Sequence, residues 1–229
     1  MNGKPAIQLW LPWAIEGKPS EEETTAECPS EEAGLVERVV ERDNLFRALK
    51  QVQSNGGSPG LDGMTVEELA PYLKEHWPRL KQALLEGTYQ PQPVKRVEVP
   101  KPQGGVRKLG VPTVVDRFIQ QAVMQVLQAQ WDPTFSDSSF GFRPGRNAHQ
   151  AVKRAQSYLK EGYTWVVDMD LEKFFDRVNH DKLMSEVSKR VRERRVVALI
   201  HRFLKAGAME HEARHETVEG VPQGGPLSP

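Results

Sequence analysis

The sequence predicts an α+β fold in which helices outnumber strands and the strands come as hairpins. Three observations carry this expectation. Several stretches repeat apolar residues at helical spacing. Two short alternating runs, "VKRVEVP" and "VRKLGVP", flank the Gly-containing turn "KPQGG" and signal a hairpin. "TWVVDMD", residues 164–170, is an apolar run of strand length.

Residues 1–34 are rich in Glu, Ser, Thr and Pro without sustained periodicity and read as a flexible acidic leader, with Trp10 and Trp13 as candidates for docking. From Leu35 the pattern becomes helical, and Asn44 is placed to cap a helix carrying Leu45, Phe46, Leu49 and Val52. "SNGGSPGLDG" is a long loop punctuated by Gly and Pro. Thr65 and Glu68 have capping-box spacing and start the next helix. A separate helix around "HWPRLKQALLEG" ends at Gly87. After the hairpin, Thr113 caps a long amphipathic helix with Val115, Phe118, Ile119, Ala122, Val123, Val126 and Leu127 on its apolar stripe. "FSDSSFGFRPGRN" is a loop, and Asn147 caps a helix to about Leu159. The buried strand "TWVVDMD" follows, then a helix capped by Asn179 and another over "RRVVALIHRFLKAG". The tail reads as a strand pair leading into a Gly/Pro turn. Three units result: the leader at 1–34, a body at 35–163 and a final unit at 164–229.

Composition narrows the class. The chain is 38% hydrophobic and 27% charged, ordinary values for a globular domain. No run approaches the roughly 18 apolar residues of a membrane span, so a membrane is not an expected partner. The N-terminal "IQLWLPWAI" is broken by Pro12 and lacks a cleavage site, against a secretory signal. One cysteine, Cys28, excludes an internal disulfide framework and a Cys-based zinc site, and the expected location is cytoplasmic. The zero net charge hides an asymmetry. Residues 1–34 hold seven acids against two bases, out of totals of 31 each, which leaves the rest with five more bases than acids. Those bases cluster in "VKR", "VRK", "FRPGR" and "SKRVRERR", which permits a polyanionic partner and equally suits solvated helix faces.

The chemistry concentrates in four places. Asp168 and Asp170 alternate along an extended run and so share one face. Buried carboxylates must be paired, hydrogen-bonded or metal-bound. Either they are hard-oxygen ligands for Mg²⁺, or they cap the turn and the following helix. Phe175, five residues after Asp170, either walls a nucleotide sugar or is a plain core aromatic. "GVPQGGPLSP" sets glycines around Gln223, which allows close backbone approach to a ligand but is also simply a turn. Lys101, Arg107 and Lys108 arm the hairpin, for a triphosphate or as an exposed charged surface. Asp176 and His180 suit capping, His149 local packing, and Asp168 a supporting role.

Taken in order, "SPGLDGMTVEEL", "PKPQGGVRKLGVPTVVDR", "FSDSSFGFRPGRNAHQA", "VVDMDLEKFFDRVNHDKL" and "GVPQGGPLSP" resemble the successive N-terminal motifs of bacterial group II intron-encoded reverse transcriptases, or maturases. The resemblance covers nearly everything from about residue 35 onward. It implies the fingers and part of the palm of a right-hand polymerase, with the N-terminal extension and fingers at 35–163 and the partial palm at 164–229. Asp170 matches the first catalytic aspartate, with the Leu171 carbonyl as a second metal ligand for Mg²⁺. Phe175 matches the aromatic gate against a ribose 2′-hydroxyl. Lys101 and Arg107 match residues gripping the incoming triphosphate, and Gln223 and Gly224 the motif beside the nascent base pair. Arg143 and Arg146 fall in the loop near the template path. Residues 54–63, including Gly60, match a loop covering template or primer, and Lys95 joins the RNA-contacting set.

The resemblance further implies a parent that copies RNA into DNA from a primer and dNTPs and aids splicing of its intron RNA. The family's second acidic motif, an aromatic–Ala–Asp–Asp turn, does not occur in these 229 residues. Two-metal phosphoryl transfer draws on carboxylates from both motifs. The chain is therefore expected to be a polymerase fragment that does not extend a primer alone. The alternatives are an RNA-binding splicing cofactor without polymerase activity, and a piece that self-associates as a homodimer through an exposed palm edge.

Overall fold

The computed structural model describes residues 34–100, 104–210 and 213–228. The expected leader, with Trp10, Trp13 and Cys28, lies outside the described residues, as does Lys101.

The helical core assembles from the apolar stripes. Helices α1 (Leu35–Val39), α2 (Arg42–Asn55) and α3 (Leu69–Leu85) pack around α4 (Val114–Trp131). Every residue from Val114 to Val123 is buried, so α4 is covered on all sides at its N-terminal half. Trp77 of α3 meets Phe118 of α4 edge-on, with ring centroids 6.0 Å apart. Thr113 caps α4 as expected, its Oγ1 accepting from the Asp116 amide at 3.1 Å.

Two expectations for the first helices change. Asn44 does not cap α2, which begins at Arg42 with Glu41 in the cap position. Its buried amide instead donates to Val39 O at 2.9 Å and Ala122 O at 3.0 Å, tying α2 to α4. A buried side-chain amide must find acceptors, and these two carbonyls supply them. The two helices expected around 65–87 are one, α3, with Pro78 inside it. Proline costs a helix interior about 3 kcal/mol. Burial of Leu69, Leu73, Trp77 and Leu84 on one face outweighs that. Glu68 does reach back to the Thr65 amide, at 2.7 Å, but residues 66–68 form a turn before the helix starts.

The hairpin forms as read: β1 (Val94–Pro100) pairs antiparallel with β2 (Val106–Val111). Short strands β3 (Ala208–Glu210) and β4 (Ala213–His215) extend it in the order β2-β1-β3-β4. The β1–β3 pairing is parallel, which hairpin signals alone did not anticipate. Helix α5 (Ala148–Lys160) carries the Asn147–Gln150 capping box and buries none of its residues. Helices α6 (His180–Arg190), capped by Asn179, and α7 (Arg194–Lys205) return the chain to the core through Val187, Val196 and Leu199.

The expected buried strand at 164–170 is neither buried nor a strand. Trp165 is 94% exposed and Met169 86% exposed. Alternation supplies two faces but no partner. A strand also needs neighbouring N–H and C=O groups and a covering layer, and among the described residues neither lies beside this segment.

Candidate functional site

Three chain segments meet where the resemblance places the chemistry. The first is the turn succession after the exposed run. Asp170 is exposed, and its Oδ1 accepts from the Leu171 amide at 2.9 Å. The Leu171 carbonyl accepts from the Phe174 amide at 3.3 Å, and the Lys173 carbonyl from Asp176 at 3.0 Å. These bonds curl the chain so that Phe175 turns toward the core while Asp170 stays in solvent. Phe174 and Phe175 stack edge-on at 5.5 Å. Both line an apolar cavity of about 310 Å³ with Val178, Val187, Phe203 and Pro222.

The second segment is the Gly/Pro turn. The Val221 amide donates to Phe175 O at 2.7 Å, and the Gly220 amide to Val178 O at 2.8 Å. A Cβ at Gly220 would stand 2.8 Å from Asp176 O, so only glycine admits this approach. Buried His180 shares a 2.6 Å hydrogen bond between its Nε2 and Gly220 O. Gln223 Nε2 donates to Asp176 Oδ1 at 3.5 Å, a long contact. The expected capping role of His180 is thus replaced by a tie between α6 and the turn.

The third segment is the hairpin. The Gly110 amide of β2 donates to Gln223 O at 3.0 Å, and a Cβ at Gly110 would stand 2.9 Å from Pro222 Cβ. Phe175, Gln223, Gly224 and the hairpin are therefore brought together by backbone contacts. The hairpin's charges separate by face. Lys108 reaches Glu210 at 2.9 Å and Glu98 at 3.7 Å, and Arg96 reaches Glu210 at 3.6 Å. The Glu210 carboxylate, foremost through its hydrogen bond, raises the Lys108 pKa. Lys95 and Arg107 lie on the opposite face, by their register with Val111 and Val99. Both are exposed and form no ion pair among the described residues.

The arginine loop divides its labour. Arg143 is spent inside it: its Nε lies 2.8 Å from Asp132 Oδ1, and its Nη1 donates to Ser136 O at 2.7 Å and to Ser139 O at 3.1 Å. Its side chain is 7% exposed. Hydrogen bonding from Arg143 lowers the Asp132 pKa. Arg146 is more open, contacting Asp137 at 3.1 Å and lying over Phe140. In the 54–63 loop, Gly60 is buried, and a Cβ there would stand 2.6 Å from Thr113 Cα.

Beneath these segments sits a carboxylate that the sequence reading passed over. Asp116 is 1% exposed and accepts from Tyr89 Oη at 2.8 Å, Thr113 Oγ1 at 2.7 Å and the Gln92 amide at 3.1 Å. Burial raises its pKa, and the hydrogen bonds oppose that rise. Burial, then the Asp116 charge, pushes the Tyr89 hydroxyl up. The signal available was a charged residue in the first turn of a helix otherwise led by Val114, Val115, Phe118 and Ile119. Arg117, beside it, carried the same signal.

The donors at 170–171 suit a hard cation, since Mg²⁺ prefers oxygen. They supply one carboxylate and one carbonyl. No cluster of three or more His, Cys, Asp or Glu that could hold a metal occurs among the described residues. No helix among them is long and apolar enough to cross a membrane.

Comparison with known proteins accords with this arrangement. Protein YkfC of Escherichia coli is 35% identical over 201 residues, covering 85% of this chain and 53% of its own length. The group II intron-encoded protein LtrA of Lactococcus lactis is 35% identical over 196 residues, covering 85% of this chain and 32% of LtrA. A 91 kDa protein in the cob intron of Schizosaccharomyces pombe is 30% identical over 198 residues, covering 83% of this chain and 23% of that protein. The chain thus spans about half the length, or less, of these relatives. A solved Cas6-RT-Cas1–Cas2 complex shares the fold with a TM-score of 0.55 at 23% identity, over 85% of this chain and 32% of that one. Residues 99–229, more than half of the sequence, match the family described as reverse transcriptase (RNA-dependent DNA polymerase). With more than half of its residues matched to that family, the chain belongs to the reverse transcriptase family.

Proposed function

We propose that this chain is the fingers and the first part of the palm of an RNA-directed DNA polymerase encoded by a group II intron, acting on template RNA, a DNA primer and dNTPs. The observation that carries the reading is the convergence of Phe175, Gln223 and Gly110 through the Val221–Phe175 and Gly110–Gln223 backbone bonds, with Asp170 held in solvent at the edge. Phe175 would lie against the sugar, the Gly/Pro turn against the new base pair, and Arg107 with Lys101 near the triphosphate. Asp170 and the Leu171 carbonyl would hold one side of a Mg²⁺ ion, which supplies charge neutralisation at the reacting phosphate. Base pairing selects the nucleotide, so the protein's task is orientation and electrostatics.

Asp170→Ala in the full polymerase is expected to cut primer extension by at least about 10³-fold, the scale of losing an electrostatic stabiliser. RNA affinity should stay within about twofold, because the carboxylate is not a phosphate-binding group. Equal loss of both would make Asp170 structural. Arg107→Ala should raise the dNTP KM more than it weakens RNA binding. The 229-residue chain alone is expected not to extend a primer.

A second reading, an RNA-binding splicing cofactor without polymerase activity, is favoured by the exposed cations Lys95 and Arg107 on one face of the hairpin. Steeply salt-dependent RNA binding that promotes splicing and survives Asp170→Ala would support it.

A further inference from the structure

His180 opens α6 and is 3% exposed. Its Nε2 lies 2.6 Å from Gly220 O, 40 residues along the chain, and its Nδ1 is buried without a hydrogen-bond partner. A carbonyl only accepts, so Nε2 carries the hydrogen. An apolar side chain could occupy this position without leaving a buried nitrogen unpaired. What the imidazole adds here is therefore the single bond to Gly220.

That bond falls on a sensitive peptide unit. The Gly220 carbonyl and the Val221 amide belong to one planar trans unit and point in opposite directions. His180 Nε2 holds the carbonyl end, and Phe175 O holds the amide end at 2.7 Å. Gly220 has φ +80°, and glycine sets little steric limit on rotation about its own backbone bonds. Among the described residues no second donor reaches Gly220 O. Without His180 the carbonyl end can turn, and the same plane then carries the Val221 N–H away from Phe175. The Gly220 N–H lies on the preceding peptide and keeps its own bond to Val178 O at 2.8 Å, so this one unit loosens while the segment stays attached. A bulkier residue cannot stiffen the turn instead, because a Cβ at Gly220 would stand 2.8 Å from Asp176 O and 3.0 Å from Phe175 O. The stiffening has to come from outside, and His180 supplies it.

We propose that His180 is a positioning residue for sugar selection. Its Nε2 fixes the Gly220–Val221 peptide, that peptide fixes the Phe175 backbone, and the Phe175 ring is thereby held in register with the Gly/Pro turn. The inference rests on the polymerase reading above, in which Phe175 lies against the sugar. It adds a residue that acts only through Phe175, without touching the nucleotide.

Substitutions at 180 separate the bond from the packing. His180→Gln sets an amide nitrogen near the Nε2 position and keeps the donor. His180→Leu fills the site without a donor, and His180→Asn carries an amide that stops short, at the Nδ1 position. One readout is hydrogen exchange at the Val221 amide of the chain. The other, in the full polymerase, is the ratio of kcat/KM for a dNTP to that for the matching rNTP. In the Leu and Asn variants Val221 should exchange at least about tenfold faster, and the ratio should fall by about tenfold, the scale of one buried hydrogen bond. The Gln variant should stay within about threefold of wild type on both. Equal losses in the Gln and Leu variants would assign the effect to ring packing and overturn the inference, as would an unchanged ratio or unchanged Val221 exchange in the Leu and Asn variants. If the Leu variant does not fold, Asn against Gln makes the same comparison. Phe175→Ala in the same assay keeps the two readings apart. A lowered ratio there, with no change in the His180 variants, overturns this inference alone; an unchanged ratio there removes the sugar role of Phe175 and this inference with it.

Discussion

The α3–α4 core and the 163–171 run are built from similar residues and meet opposite fates. In the core, Trp77 is 1% exposed, Leu73 is fully buried, and the buried carboxylate of Asp116 has three donors. In the run, Trp165, Val166, Val167 and Met169 face outward, and Asp170 keeps one short backbone bond. Apolar content by itself therefore does not bury a segment. A helix stripe brings its own backbone hydrogen bonds and needs a partner for one face, whereas an extended run needs partners along its edges as well.

Substitutions can break or sharpen this contrast. The largest effect is expected from Trp77→Ala, which opens a cavity beside Phe118 and should cost about 3–5 kcal/mol in denaturant unfolding. Asp116→Asn comes next. It turns an acceptor of three hydrogen bonds into a group with a competing donor and should cost about 1–3 kcal/mol near pH 4. The pH dependence has a definite sign. Because the folded pKa of Asp116 is raised from 3.8, its contribution is complete below that value and is lost as pH rises through the folded pKa. The wild type should thus lose stability relative to Asp116→Asn over that window, by about 1.4 kcal/mol for each unit of displacement. A flat difference would show a carboxylate that titrates as in the unfolded chain. Asn147→Ala should cost about 1 kcal/mol through loss of the α5 cap, with helicity as the readout. The smallest effect is expected at Trp165→Ala, within about 0.5 kcal/mol. A loss comparable with Trp77→Ala would show the run to be covered in solution, and sedimentation would report whether a second copy covers it.

Much of the fold was legible because local rules decide it. Thr113, Asn147 and Asn179 cap the helices their spacing announced, and Gly104 and Gly105 turn the hairpin. Asn44 misled because its side chain answers to Ala122, 78 residues away, rather than to its own helix start. Pro78 misled because a local penalty of about 3 kcal/mol is smaller than the burial gained across α3. The motifs of the candidate site could be read, but Arg143 turned out to hold its own loop, while Asp116 and Arg117 had passed as ordinary helix residues.

The order of side chains along the chain determined the helices, their caps, the hairpin register and the motif series that places the protein among reverse transcriptases, since each follows from contacts within a few residues or from spacing. Packing alone decided which charges are spent and which stay free. Lys108 meets Glu210, 102 residues away, while Lys95 and Arg107 face solvent, and Arg117 closes on Gly56 and Ser58 from about 60 residues along the chain. A charge is neutralised by whatever stands within a few ångströms, and that neighbour is chosen by the fold.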